Sequence, residues 1–229
     1  MFFFNPTYMM FMIPAFLLMA LTSWYVKSSY NKWSKVRATS GLTGAQAAQR
    51  LISTGNLYGV QIQSVAGNLT DHYDPRNKTL YLSQGVINSP SVAAVAIAAH
   101  ELGHALQDSE EYIPLRFRSA LVPAVNIGSY LGWILIMIGL FLNMTNLAWL
   151  GVLVFSGGAL FALATLPVEF DASARAKELL VQTGIIQTDA EMRGVNAVLN
   201  SAALTYVAAL VTAVLQLLYY ISLISGRRR

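Results

Sequence analysis

The sequence predicts a mainly α polytopic membrane protein, with about four transmembrane helices and a small α+β portion carried between them. Three observations predict it. The 229 residues are 55% hydrophobic and only 11% charged, and the mean hydropathy is +0.50, too apolar for an ordinary soluble domain. Four apolar runs are long enough to cross a bilayer. One long segment, 27–118, is polar and mixes helical with strand-like patterning. There is no cysteine, which excludes disulfides and thiolate metal ligands. The net charge of +4 is small, and its placement speaks to membrane orientation rather than to nucleic acid.

The first run, Tyr8 to Val26, carries no charge. Lys27, Lys32, Lys35 and Arg37 follow it, with Trp24, Tyr25 and Trp33 at the boundary, the aromatic and basic collar of a membrane span. A cleaved signal peptide fits less well, because no basic residue precedes the run. Thr43-Gly44-Ala45-Gln46 opens a short helix to about Ser53, closed by Gly55 and Gly59. Val60 to Val65 alternates apolar and polar, which predicts a strand. Asp74-Pro75-Arg76-Asn77 is a turn, and Thr79 to Leu82 a second strand. Asn88-Ser89-Pro90 then starts a helix running to about Asp108, with the small sheet packed on it. Ala120 to about Leu142 and Leu147 to about Val168 form a transmembrane hairpin across the short link Asn143–Asn146. Their glycines serve close helix packing in lipid. Thr188 and Glu191 form a capping box opening the last helical region, and Ala202 to Ser225 is the fourth span. The segments are 1–26, first span; 27–118, polar portion; 119–168, hairpin; 169–201, second polar segment; 202–225, fourth span; and 226–229, basic tail.

The helix from Pro90 contains His100-Glu101-Leu102-Gly103-His104, an H-E-x-x-H pattern. Residues four apart share one helix face, so His100 and His104 present two imidazoles to one metal ion. Glu101 stands beside that face, where a carboxylate takes the proton of an attacking water. Zinc suits such ligands and keeps one position open. Two of the three histidines of the chain fall in this motif. Glu169 follows the third span directly and is the natural third protein ligand, recruited from another helix, the alternative being a helix-N-terminal acid that faces the helix dipole. Asp171 reads as a helix-N-terminal acid or a hydrogen-bond partner of a ligand histidine. Tyr206 is a candidate donor to a tetrahedral intermediate, and also an ordinary interfacial tyrosine. The strand at Leu80-Tyr81-Leu82 reads either as the edge on which an extended peptide adds by main-chain hydrogen bonds or as an ordinary core strand.

Four spans alternate sides, which places 27–118 and 169–201 together. These carry twelve of the 15 Lys and Arg residues, and Arg227–Arg229 lie opposite. The positive-inside rule puts the metal side in the cytoplasm.

Four stretches carry a resemblance: LTDHYDPRNKTLYLS (69–83), SVAAVAIAAHELGHALQ (91–107), LPVEFDASARA (166–176) and AALTYVAAL (202–210). Together they resemble the YugP-like neutral zinc metallopeptidases of bacterial membranes, over nearly the whole chain. The resemblance implies a zincin-like catalytic portion with one Zn²⁺ per chain, His100, His104 and Glu169 as ligands and Glu101 as catalytic base. More distantly, the chain is similar to HtpX-like and CaaX prenyl membrane proteases, whose later helix reads E-x-x-x-D. Here Ser173 occupies the place of that Asp.

These readings converge on a multi-pass zinc endopeptidase of the bacterial plasma membrane, cleaving membrane or membrane-proximal proteins with a zinc-activated water. Its expected partners are peptide or membrane-protein substrates, the bilayer and a membrane-protein adaptor docking on the apolar hairpin. The alternative from another class is a non-catalytic membrane scaffold with a closed structural zinc site, His72 being its fourth ligand. A divalent-cation transporter ranks last, because the second, third and fourth spans hold no ionisable side chain other than tyrosine.

Overall fold

The structure, a computed structural model, describes residues 5–226. Residues 1–4 of the first predicted segment and the Arg227–Arg229 tail lie outside the described residues. The described residues are mainly helical, with four helices among them long and apolar enough to cross a membrane and a small mixed sheet. In order, the elements are α1 (Pro6–Trp33), α2 (Gly44–Thr54), β1 (Gln61–Val65), β2 (His72–Asp74), β3 (Thr79–Ser83), α3 (Gln84–Ile87), α4 (Val92–Ser109), α5 (Ile113–Phe141), α6 (Thr145–Phe155), α7 (Gly157–Gln182) and α8 (Asp189–Ser225). The residues fall into two compact units. Among the described residues, one runs through the first 23 positions, 116–166 and the stretch from 204 on, and the other comprises 24–115 and 167–203.

The first unit contains most of the apolar spans. Its buried cluster includes Ile136, Leu140, Ala148, Val152 and Ile224. Glycine lets α5 and α6 approach. A Cβ at Gly139 would stand 2.4 Å from the Ala148 nitrogen, and one at Gly151 would stand 2.6 Å from that of Ile136. Van der Waals packing of small residues replaces the hydrophobic effect between helices in lipid. Asn143 turns the hairpin at φ 56°, a left-handed conformation that asparagine tolerates better than most residues. The third span, expected to be continuous, consists of α6 and α7 with a one-residue break at Ser156.

The second unit has a conventional core. Leu51, Leu80, Leu82, Val92, Val95, Leu102, Leu180 and Ile185 are fully buried within it. The helix start expected at Thr43 is found, and it takes the form of a capping box between Thr43 and Gln46. The capping box of α8 forms between Thr188 and Glu191. Glu191 also accepts from the Thr39 N–H at 2.6 Å, tying the chain after α1 to the start of α8. Burial pushes the Glu191 carboxyl up, but the N–H groups of Thr39, Gln187 and Thr188 and the Thr188 hydroxyl outweigh it and leave it lowered.

Three expectations are corrected. The cap of α4 is Ser91, whose side chain accepts from the Ala94 N–H, rather than Asn88-Ser89-Pro90. The cause is pairing: Ala38 donates to the Pro90 carbonyl and Val92 to that of Val36, holding 90–91 extended. His72–Asp74 forms a strand that its sequence does not announce. It has no apolar alternation and is fixed by antiparallel pairing with β3. Finally, the sheet order is β1-β3-β2. The strand containing Leu80-Tyr81-Leu82 is central and has no free edge, because β1 pairs parallel to it on one side and β2 antiparallel on the other.

Candidate metal centre

The site is assembled from α4, the beginning of the polar stretch of α7, and β2, all within the second unit. On α4 the four-residue spacing brings the rings of His100 and His104 edge to face, with centroids 4.9 Å apart. Gly103 lies between them in sequence and meets α7. A Cβ there would fall 2.4 Å from the Ala172 carbonyl oxygen. Only glycine permits this approach, and it brings the two histidines to Glu169. The Oε2 of Glu169 stands 3.3 Å from His100 Nε2 and 3.6 Å from His104 Nε2. One ligand atom from each of the three residues fits within 4.8 Å of the others. Glu169 is 2% exposed, where an unpaired carboxylate would be very costly.

The electrostatics favour a cation at this point. Burial pushes the Glu169 carboxyl up, but hydrogen bonding to both imidazoles holds it well below the usual carboxylate range. Burial lowers His104, yet the hydrogen bond to Glu169 and the charges of Glu101 and Glu169 leave it raised. Two neutral-capable imidazoles and one ionised carboxylate are a donor set that zinc accepts. The residues present therefore fit the metal.

Each imidazole also has a partner on its other nitrogen. His100 Nδ1 lies 3.2 Å from the Ser173 hydroxyl. His104 Nδ1 lies 3.0 Å from Gln107 Oε1. Such contacts fix ring orientation at metal sites. Asp171 reaches neither histidine directly. Its carboxylate accepts from Gln107 Nε2 and Arg175 Nε. Gln107 was not expected from the sequence. Its one signal is a glutamine three positions after His104, on the same helix face, and it is 0% exposed.

Glu101 is held from β2: the Tyr73 N–H donates to its Oε2 at 3.1 Å. That N–H points away from β3, along the free edge of the sheet. Tyr73 is fixed in turn by its hydroxyl, which donates to Asp108 at 2.9 Å. Burial raises the Glu101 carboxyl, His100 and His104 lower it, and Glu169 and Asp71 raise it, with a raised net result. A carboxylate of increased basicity is what a proton acceptor near neutral pH requires.

The other sequence candidates lie elsewhere. His72 is exposed, stacked on Tyr81 with ring centroids 4.8 Å apart, and its Nδ1 lies 2.9 Å from the Thr70 carbonyl. It does not join the three ligands among the described residues. Tyr81 points to the sheet face opposite Leu80 and Leu82 and accepts from Asn77. Tyr206 belongs to the first unit, not to the one that holds the ligands.

Comparison with known proteins agrees with this chemistry. Residues 8–225 match the family described as "putative neutral zinc metallopeptidase". The chain is 43% identical over 223 residues to the "putative membrane protease YugP" of Bacillus subtilis (strain 168), covering 96% of this chain and 99% of that one. No solved structure matches. A match over almost the whole length, to a family whose name requires zinc, meets a cluster of three residues able to bind it: the chain belongs to the neutral zinc metallopeptidase family.

Proposed function

We propose that the protein is a membrane-embedded zinc endopeptidase that hydrolyses peptide bonds of membrane or membrane-proximal proteins on the cytoplasmic side. The observation that carries this reading is the convergence of His100, His104 and Glu169 next to a carboxylate, Glu101, that takes no part in the cluster. A zinc ion held by these three residues supplies Lewis acidity toward water and the scissile carbonyl. Glu101 accepts the proton of the attacking water and returns it to the leaving amine. Tyr73 N–H steadies Glu101 for both transfers. The Lys and Arg distribution supports the cytoplasmic side. The start of Glu169 directly after an apolar run supports substrates close to the bilayer.

A structural zinc site in a non-catalytic scaffold requires a fourth protein ligand. His72, the residue suited to it, is engaged with Tyr81 and Thr70. The test is Glu101→Gln in detergent-purified protein, assayed on quenched fluorescent casein and on a reconstituted single-span reporter. Zinc is retained and cleavage falls by about 10²–10⁴-fold. Undiminished cleavage, or zinc lost with the substitution, refutes the role given to Glu101.

A further inference from the structure

The two histidines are held in unequal ways. Ser173 offers His100 a hydroxyl, which either donates or accepts and so leaves the tautomer of that ring open. Gln107 offers His104 an amide whose orientation is already decided. Its Nε2 donates to the Val168 carbonyl and to the Asp171 carboxylate, both at 2.8 Å. These two acceptors use both hydrogens of the amide group. Turning the amide over would aim its oxygen at a carbonyl and a carboxylate at once, which is repulsive. Oε1 therefore faces His104 Nδ1, and a carbonyl oxygen only accepts. Nδ1 must carry the proton, which leaves Nε2, the nitrogen on the Glu169 side, as the one a metal can take.

The amide is braced from further out. Arg175 donates through Nε to Asp171 and through Nη1 to Glu110 at 2.6 Å, and it lies over the Tyr112 ring at 5.6 Å. A guanidinium spanning two carboxylates fixes Asp171 by charge-assisted bonds. Asp171 in turn fixes Gln107, and Gln107 fixes His104.

We propose that Gln107 is the positioning residue of the metal centre: oriented by Asp171 and Val168, it keeps His104 in the Nδ1–H tautomer and commits Nε2 to the metal. This rests on the three-ligand reading above. Gln107 touches neither metal nor substrate and acts only through His104.

The test measures zinc affinity by chelator competition on the full-length protein in detergent. Gln107→Met, of similar volume but unable to accept, weakens zinc binding by about 10–100-fold. The loss of the acceptor also moves the ¹⁵N resonance of His104 Nδ1 in the ¹¹³Cd-loaded variant, which a purely structural role for Gln107 would leave in place. A second measurement needs no variant. With ¹⁵N-labelled histidine and ¹¹³Cd in the site, the metal couples to Nε2 of His104; with only three histidines in the chain, the signals are separable. Coupling to Nδ1, or zinc affinity unchanged in Gln107→Met, overturns the inference while leaving the three-ligand site standing. A wild-type protein that binds no zinc overturns that site itself and the inference with it.

Discussion

The helix α4 and the polar stretch of α7 contribute to one site by different routes. On α4 the two imidazoles and Glu101 are fixed by helical spacing, and any helix with that sequence presents them together. On α7 nothing local makes Glu169 a ligand. It joins the two histidines in the candidate centre because Gly103 lets the two helices touch at Ala172, and because Ser173 and Asp171 reach back toward α4 through His100 and Gln107. Local geometry thus supplies half of the centre, and tertiary contact supplies the other half.

The substitution that most sharply breaks this arrangement is Gly103→Val. Its Cβ would collide with α7 backbone, which cannot move like a flexible side-chain end. We expect a loss of about 3 kcal/mol in stability and of zinc binding, although every ligand remains. Thermal unfolding and metal content check it; a variant of wild-type stability with full zinc would show that the helices need no such close approach.

Glu191→Gln sharpens the comparison from the opposite direction, because Glu191 supports the second unit away from the ligands. Its folded pKa is lowered, so its stabilisation is complete above the unfolded value and is lost as pH falls through the folded one. Unfolding of the metal-free protein should show wild type ahead by about 1–2 kcal/mol at pH 7. That margin should close as the pH drops below about 4, and zinc affinity at pH 7 should not change. A margin independent of pH would contradict the assignment of charge to this carboxyl. Smaller still is Ser173→Ala, which leaves His100 Nδ1 without its hydroxyl partner. Zinc affinity should fall by about fivefold, the equivalent of one hydrogen bond of about 1 kcal/mol. A loss as large as that of Gln107→Met would erase the distinction between the two histidines.

The same division decides what could be read from sequence. The spans, the capping box of α8, and the shared face of His100 and His104 follow from composition and periodicity, which are local. The position of β2 was hidden because His72-Tyr73-Asp74 has no strand pattern of its own. For the same reason the edge was assigned to β3, whose apolar character in fact reflects burial between two neighbours. Ser91 displaced the expected cap because residues 36–38 pair with 90–92, a contact across more than fifty positions. Gln107 was silent because its meaning depends on Val168 and Asp171, more than sixty residues away.

The central claim is that two separately encoded helices complete one metal centre, and zinc content tests it most directly. Elemental analysis of the purified wild type and of Glu169→Ala should give about one zinc per chain in the first and little in the second. Full zinc in Glu169→Ala would show that α4 binds the metal without α7, and would contradict the account.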